Sequence, residues 1–369
     1  MLKKWAKGKA GNTIRYHKDE LPEIAIVIAA YNEEKVIAQK LQSILESDYP
    51  LDKMTVFIGS DDSTDKTNEI CEKFAKENAA INFHLIKGRH GKLGVLNQLF
   101  TQYIDLKKYE VIIQTDANIL FAKRMVSTLV AHFKNKEIGL VCANVKNKNI
   151  RQEGISKQES IYISGENQLK INEGKAFGAS MGAFGACYAI RSSYIEEIPS
   201  HCLAEDFYFS MLVLQQNAKI ITDKDAICYE DLPSSILEEF NRKKRISVGN
   251  FQNLKEFKSL LFAKNKQVSF AFFSHKVLRW LGPFFLLFAY VSLAILVSFP
   301  LYTTLFAIAN LLLFLAFLDW ALIRVDIHVN LLRLLRYFFM MNIALFFGFI
   351  KYVKGTENNV WTPTERNNG

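Results

Sequence analysis

The sequence predicts an α/β fold with a mostly parallel sheet and helices on both faces, followed by hydrophobic helices towards the C-terminus. In the first 150 residues, short runs rich in apolar and β-branched residues alternate with longer stretches that have helical patterning. This alternation is typical of βαβ units, which build parallel sheets. Beyond residue 280, three long apolar blocks follow one another. We therefore expect one large α/β domain and a separate membrane-associated region.

The alternation begins at residue 24 and predicts the elements in order. The expected strands are IAIVIAA, MTVFIG, NFHLI, VIIQT and IGLVCANV, and the expected helices cover residues 33–47, 64–78, 93–104 and 121–134. A polar stretch at 151–175 is followed by the glycine-rich segment FGASMGAFGACYAIR. Its small residues either let a ligand approach the backbone closely or form a tight turn into a buried strand.

Basic and apolar residues alternate over 234–262, which predicts an amphipathic helix. It either lies at a membrane interface or packs its apolar stripe on the domain. The blocks at 281–299 and 301–318 approach the roughly 20 residues needed to cross a bilayer, with a hairpin turn at Pro300. The block at 337–350 either crosses the membrane, lies at its interface or forms a re-entrant segment. The expected organisation is a basic segment (1–22), an α/β domain (23–233), an amphipathic interfacial region (234–276), a transmembrane region of two or three spans (277–354) and a tail (355–369).

The formal net charge of +9 predicts an anionic partner. The apolar C-terminal region favours membrane lipids over nucleic acid as that partner. The five cysteines lack the spacing of a zinc site or a disulfide framework, which fits a reducing compartment. The basic start has no apolar stretch after it, which argues against a cleaved secretory signal. We expect a multi-pass protein of the cytoplasmic (inner) membrane with its large domain in the cytoplasm.

Acidic residues occur at three places along the chain where an apolar run or a glycine-rich segment ends. They are Asp61, Asp116 and the pair Glu205-Asp206. In an open α/β sheet, ligands bind outside the carboxyl ends of the strands, so these carboxylates are expected to converge on one site. A metal ion, a ribose and an attacking hydroxyl all suit such a cluster, which favours an enzyme that uses a sugar nucleotide.

The segments IVIAAYNEE, SDDSTDKT and HGKLGVLN resemble the family 2 glycosyltransferases, which are inverting enzymes with a GT-A fold. The membrane-anchored, polysaccharide-synthase-like members are the most similar. The resemblance runs from about Ile24 to Phe251 and into the hydrophobic tail, where VWTPTER also looks like a family motif. It implies a supporting role for Asn97 and a nucleotide pocket made by Ala30, Tyr31, Asn32, Glu33, Asp61, Lys92 and Asp116.

Asp116-Ala117-Asn118 lies where this family carries its DxD motif, which implies a divalent cation, Mg²⁺ or Mn²⁺, held by Asp116 and Asn118. Both ions prefer hard oxygen ligands and keep several waters, so one carboxylate with phosphate oxygens can suffice. An amide replaces the second acid here, which leaves the affinity and the choice of ion open. Capping of the next helix by the same two residues is the structural alternative.

Ala204-Glu205-Asp206 resembles the family's ED motif, which implies that Asp206 is the general base, with Glu205 beside it. Arg245 matches the arginine of Q-x-x-R-W, where a guanidinium stabilises the leaving diphosphate. Arg242 and Ile246 replace the glutamine and the tryptophan, which argues against long-chain processivity. The expected acceptor or sugar pocket consists of Gly182, Ala183, Phe184, Gly185 and Arg242.

The resemblance implies a transferase that moves a sugar from a UDP-sugar to a glycan or lipid-linked acceptor at the cytoplasmic face, in cell-surface polysaccharide synthesis. Two alternatives remain open. One is a glycolipid synthase with a polyprenyl phosphate or diacylglycerol acceptor. The other is a non-catalytic scaffold that binds a nucleotide sugar, because Asn118 and Ile246 depart from the family pattern.

Overall fold

An eight-stranded sheet forms the centre of the computed structural model, which describes residues 20–148, 156–231, 236–325 and 327–355. The strands lie in the order β3-β2-β1-β4-β7-β6-β8-β5. Most neighbours are parallel, but β7 is antiparallel to both β4 and β6, and β5 is antiparallel to β8. Their bounds are β1 (Ile24–Ala30), β2 (Met54–Asp61), β3 (Ile81–Ile86), β4 (Val111–Thr115), β5 (Leu120–Phe121), β6 (Ile138–Lys148), β7 (Cys187–Arg191) and β8 (Lys219–Asp231). The predicted α/β class with a mostly parallel sheet is confirmed.

Helices cover both faces of this sheet and continue beyond it. A π-helical segment, Leu99–Tyr103, extends the third helix, and another, Phe272–Val277, joins the eighth helix to the ninth. The helices are α1 (Ile37–Leu45), α2 (Thr67–Glu77), α3 (Gly91–Gln98), α4 (Met125–Ala131), α5 (Ser156–Phe177), α6 (Glu205–Gln215), α7 (Ile236–Glu256), α8 (Lys266–Ala271), α9 (Leu278–Trp280), α10 (Gly282–Ile295), α11 (Pro300–Ile323) and α12 (Asn330–Lys354).

Strand β1 shows why the sheet is covered on both faces. Ile24, Ile26 and Ile28 pack in one hydrophobic cluster, with residues of α1 and α4. Ala25 and Val27 point the other way, into a second cluster with residues of α3 and α6. Successive side chains of a strand alternate between the faces, so a strand that is apolar at every position requires a layer of helices on each side.

The sequence-based element boundaries hold best for the buried strands. IAIVIAA and VIIQT match β1 and β4 at both ends. The helix expected at 121–134 instead begins at Met125, because Leu120 and Phe121 pair with β8 as the short strand β5. The polar stretch at 151–175 contains most of the 22-residue helix α5, for which the sequence analysis made no prediction.

Two helices, α11 and α12, are long and apolar enough to cross a membrane, judged by length and composition. They contain the predicted blocks at 301–318 and 337–350. The block at 281–299 forms the 14-residue helix α10, which spans about 21 Å and is too short to cross alone. A third span is available only if α10 and the stretch Lys266–Trp280, bent by 58° from it, cross together. The domain boundaries and the interfacial role of 234–276 stay predictions, and residues 1–19 and the VWTPTER motif lie outside the described residues.

Candidate active site

A cavity of about 1150 Å³ lies at the carboxyl end of β4, between the sheet and helices α5, α6, α7, α10 and α12. It brings together residues that are far apart in the sequence. The predicted site residues that line it are Glu33, Lys92, Asp116, Asn118, Ala183, Phe184, Gly185, Glu205, Asp206, Arg242 and Arg245. The other five, Ala30, Tyr31, Asn32, Asp61 and Gly182, lie outside this lining.

Lys92 joins two of the acidic sites that the sequence places after strand-like runs. Its Nζ lies 2.6 Å from Asp116 Oδ1 and 2.5 Å from Glu205 Oε1. Burial alone lowers the pKa of this lysine, but the two carboxylates outweigh burial and raise it well above its ordinary value. Lys92 is therefore a permanent positive charge between the end of β4 and the start of α6.

Gln114, the last residue but one of β4, holds Glu205 from the other side. Its Nε2 donates to Glu205 Oε1 at 3.2 Å, and its Oε1 accepts from the Tyr188 hydroxyl at 2.6 Å. The amide orientation is fixed because only this way round can it donate to a carboxylate and accept from a phenol. Gln114 was not among the predicted site residues. Its signal was a polar side chain inside the otherwise apolar strand VIIQT.

Asp206 occupies the first turn of α6, beside the glycine-rich segment. Burial, and then the charge of Glu205, raise its pKa to about 6, while Lys92 acts in the opposite direction. Its Oδ1 accepts from the backbone N–H of Phe207 at 2.8 Å. A Cβ added at Gly185 would lie 3.1 Å from Oδ2. The glycine thus leaves room beside a carboxylate that is ionised at neutral pH and can accept a proton.

Asp61 lies at the end of β2, outside the lining of this cavity. Its Oδ1 accepts from the N–H of His90 at 2.7 Å, and its Oδ2 accepts from the N–H of Gly91 at 3.0 Å and from Arg89 Nε at 3.1 Å. The Arg89 guanidinium lies over the ring of Tyr31, 3.1 Å from its centroid. Asp61 and Tyr31 were both predicted to line the nucleotide pocket, whereas Arg89, which contacts both of them, was not predicted.

Asp116 and Asn118 present oxygen ligands to the cavity, and the Asp116 side chain is 36% exposed. Among the described residues, no group of three or more His, Cys, Asp or Glu side chains is placed to hold a metal ion. A divalent cation here would need further oxygens from a ligand and from water, which suits Mg²⁺ and Mn²⁺. The oxygens of Asp116 and Asn118 therefore fit a divalent cation that binds together with a diphosphate.

The two candidate arginines of α7 have different surroundings. Arg242 lines the cavity, but its Nε lies 2.8 Å from Glu239 Oε2 and its Nη2 lies 2.8 Å from Glu159 Oε1. Both carboxylates are fully buried, so Arg242 ties α7 to α5. Arg245 lines the same cavity, is exposed, and has no ion-pair partner among the described residues. Of the two, only Arg245 has its guanidinium available to a ligand.

Two family models match the chain. One, described as glycosyl transferase family 2, covers residues 25–198, and the other, described as glycosyl transferase family group 2, covers residues 113–323. Among curated relatives, a probable glycosyltransferase, YdaM, of Bacillus subtilis is 27% identical over 271 residues, which is 70% of this chain and 63% of the relative. The beta-monoglucosyldiacylglycerol synthase of a Nostoc species is 30% identical over 148 residues, which is 40% of this chain and 29% of the relative. The chain thus spans less than two thirds of the length of these relatives.

The fold has a counterpart among solved structures. A mannosyltransferase from Pyrobaculum calidifontis, determined in complex with GDP-Man and Mn²⁺, superimposes with a TM-score of 0.72. The similarity covers 95% of this chain and 92% of that one at 20% sequence identity. This likeness confirms the predicted GT-A type of fold. Since the second family model alone covers more than half of the sequence, the chain belongs to the family 2 glycosyltransferases.

Proposed function

We propose that this glycosyltransferase moves a sugar from a nucleotide diphosphate, UDP by preference, to a hydroxyl acceptor at the cytoplasmic face of the membrane, with inversion at the anomeric carbon. The observation that supports this most strongly is the position of Asp206. It is a half-buried carboxylate with a pKa of about 6, next to the Lys92–Asp116–Glu205 cluster and open to the cavity beside Gly185. A general base works best when its pKa lies near the working pH.

Different residues of the cavity act on the acceptor hydroxyl and on the leaving diphosphate. Asp206 takes the proton from the acceptor hydroxyl as that oxygen attacks the anomeric carbon, and the diphosphate leaves with the electron pair of the broken bond. Lys92 and the exposed Arg245 supply positive charge towards the leaving diphosphate, which lowers the barrier electrostatically. Asp116 and Asn118 would hold Mg²⁺ or Mn²⁺, which would neutralise diphosphate charge when bound. The Mn²⁺ in the complex of the Pyrobaculum mannosyltransferase supports this cation.

The test is nucleotide release by the detergent-purified protein with a panel of UDP-sugars, and with GDP-sugars because of the solved relative. Each donor is measured with Mg²⁺, Mn²⁺ or a chelator. We expect release from one donor that depends on the cation. Asp206→Asn is expected to reduce turnover by about a hundredfold or more, with the Kd for the nucleotide unchanged, because the base acts in the chemical step.

Asp225→Asn is the matched control, because this carboxylate lies on β8 with its side chain 71% exposed. It should turn over like the wild type. Undiminished turnover by Asp206→Asn would remove that residue from the base role. Binding of the nucleotide without turnover of any donor, with membrane lipid extract supplied, would favour the non-catalytic scaffold.

A further inference from the structure

Lys170 is a buried cation that the reaction described above does not use. It lies on α5, is 2% exposed, and lines the cavity. Its Nζ lies 3.6 Å from the centre of the Phe184 ring. Within the part of the chain that the structure describes, no carboxylate lies within ion-pairing distance of this ammonium. Burial lowers its pKa to about 8, so it is still charged at neutral pH.

The two glutamates that lie one helical turn before and after Lys170 are already paired with other cationic or imidazole side chains. Glu166, one helical turn earlier on α5, contacts Lys276 Nζ at 2.9 Å, Arg279 Nη1 at 2.8 Å and His275 Nε2 at 3.0 Å. Glu173, one turn later, contacts His275 Nδ1 at 2.7 Å. Glu166 and Glu173 thus pair with Lys276, Arg279 and His275, which leaves the Lys170 ammonium without a carboxylate of its own. A buried charge is costly unless it is paired, so this part of the cavity favours an anionic ligand.

The position of Lys170 relates that anion to the acceptor. Lys170 and Asp206 line the same cavity: the Lys170 ammonium lies over the Phe184 ring, and a Cβ on the neighbouring Gly185 would lie 3.1 Å from Asp206 Oδ2. A ligand whose anionic group binds Lys170 therefore has its neighbouring atoms near the carboxylate that accepts a proton.

Part of the cavity wall is apolar and belongs to the exposed surface of the hydrophobic helices. Phe285 and Leu286 of α10 and Leu334 and Phe338 of α12 line it, and each of these side chains is also between 41% and 53% exposed. One cavity thus connects a buried cation and the candidate base with the faces of helices that are apolar enough to meet a bilayer. Hydrocarbon chains suit this apolar wall, and a hydrophilic glycan does not.

We propose that the acceptor is an anionic membrane lipid with a free hydroxyl in its headgroup. Its phosphate binds Lys170, its hydroxyl reaches Asp206, and its acyl chains leave the cavity between α10 and α12. This inference rests on the proposed function and adds the substrate class. Diacylglycerol has no anion for Lys170, and a polyprenyl phosphate attacks through an oxygen that needs no base.

The transfer balances without any further reactant. A bond forms between the lipid hydroxyl oxygen and the anomeric carbon, and the bond between that carbon and the diphosphate oxygen breaks. Its electron pair leaves with the nucleoside diphosphate, and the hydroxyl proton goes to Asp206 and then to water. The lipid phosphate remains unchanged throughout.

Lipid binding is tested first, without any donor. The full-length protein in detergent is titrated with phosphatidylglycerol, phosphatidylcholine or diacylglycerol, and native mass spectrometry gives the apparent Kd for each. We expect phosphatidylglycerol to bind about tenfold more tightly than the other two, because a charge-assisted contact to a buried ammonium is gained. Lys170→Met should remove this preference and Lys170→Arg should retain part of it. Lys224→Gln, which removes an exposed lysine on β8, should not change it. Equal affinities in the wild type overturn the proposal.

A second experiment distinguishes the lipid-acceptor proposal from the proposed transferase function. It also tests whether Lys170 binds the sugar donor instead of the lipid. Nucleotide release to water reports the transferase without an acceptor, and lipid-linked sugar in nanodiscs reports transfer. Release to water with no sugar on phosphatidylglycerol overturns the lipid proposal and leaves the transferase intact. A Lys170→Met variant whose KM rises for the donor, with lipid affinity unchanged, assigns the lysine to an anionic donor sugar and also overturns it. Unfolding temperatures of both Lys170 variants, compared with the wild type, show whether a loss reflects misfolding.

Discussion

At the scale of single residues, Lys92 controls the protonation of the candidate site. It lies between Asp116 and Glu205, and its charge also acts on Asp206. Burial and Glu205 raise the pKa of Asp206, whereas Lys92 lowers it. The balance leaves a base with a pKa of about 6, which is ionised at neutral pH. Without Lys92, the carboxylates of Asp116, Glu205 and Asp206 would lie close together without the positive charge that α3 supplies.

Lys92→Met is therefore expected to shift the pH dependence of the reaction. The base must be ionised, so the rate falls as the pH drops below its pKa. In the wild type, log kcat/KM should decline below about pH 6. In the variant, the decline should begin at least about one unit higher, because the charge that lowers the pKa of Asp206 is lost. The measurement is a pH profile of nucleotide release at saturating cation.

The matched control is Lys73→Met, on the exposed face of α2 with the Lys73 side chain 73% exposed. Its profile should superimpose on that of the wild type. A rate for Lys92→Met that is lowered by the same factor at every pH would show that Lys92 acts only on the diphosphate and does not set the pKa of the base.

Residues that belong to a recognisable sequence motif could be predicted. Residues that act through contacts with other parts of the chain could not. Asp116, Asp206 and Lys92 could be picked out because each follows a recognisable segment, and the structure brings them together. Gln114 and Lys170 received no prediction, because their importance depends on partners from other elements. Lys170 is 14 residues from Phe184 in the sequence, and nothing in its own neighbourhood reveals that its ammonium lies over that ring.

At the scale of elements, the contact between α7 and α12 depends on Gly348. A Cβ added at this position would lie 2.3 Å from Ser247 Cβ and 2.6 Å from the carbonyl oxygen of Lys244. One of these two contacts is with backbone, so the helices would have to separate. The Ser247 hydroxyl also donates to the carbonyl of Leu345 at 2.8 Å. Small residues thus allow α12 to approach the helix that carries Arg242 and Arg245.

Gly348→Ala is expected to destabilise the protein by about 1–3 kcal/mol through overpacking. This outweighs the gain of up to about 1 kcal/mol that alanine brings to a helix interior. The measurement is the thermal unfolding midpoint in detergent.

Gly165→Ala is the matched control for that substitution. It is also a helical glycine, on α5, and a Cβ there meets nothing within 4 Å. Its midpoint should rise slightly, because only the helix propensity changes. A rise of the same size for Gly348→Ala would show that α7 and α12 are not in close contact.

Helix α5 shows where sequence patterns are insufficient. Its segment has a high content of polar residues, so no apolar stripe marks a buried face. The structure buries Glu159, Glu166 and Glu173 on it, and their partners come from α7 and from the stretch Lys266–Trp280. These acids recur every seven residues, which places them on one helical face. That spacing was the available signal, but ion pairs with distant elements are needed to make the face buried.

At the scale of the whole molecule, α12 packs along α7 and also contacts α5 of the α/β domain. Near its start, the Tyr337 hydroxyl donates to Glu159 of α5. Further on, Phe347 packs against Phe240, and near the C-terminal end Tyr352 stacks on Phe251. These contacts extend over 15 residues, or about 23 Å of helix. A helix that crossed the bilayer would separate from α5 and α7 after its first turns. We therefore infer that α12 lies at the membrane surface.

Single cysteines and a membrane-impermeant maleimide in sealed vesicles test this inference. The five native cysteines are buried, which keeps the background low. Val329→Cys precedes α12, Lys354→Cys ends it, and Lys224→Cys marks the α/β domain. If α12 lies on the surface, all three positions are labelled from the same side. Ser298→Cys, in the turn between α10 and α11, should be labelled from the opposite side, because α11 then crosses in one direction and the bent pair of Lys266–Trp280 and α10 crosses in the other.

Labelling of Val329→Cys from the side opposite to Lys224→Cys would show that α12 crosses the bilayer. The contacts of Tyr337 with α5 and of Tyr352 with α7 could not then both exist in the membrane-bound protein. The positive charges give the physical reason to expect otherwise. Arg333 and Arg336 at the start of α12 and Lys351 and Lys354 at its end favour the cytoplasmic side equally. A helix with cations at both ends places all of them on the cytoplasmic side only when both of its ends stay on that side of the membrane. The contacts along α7 allow this arrangement.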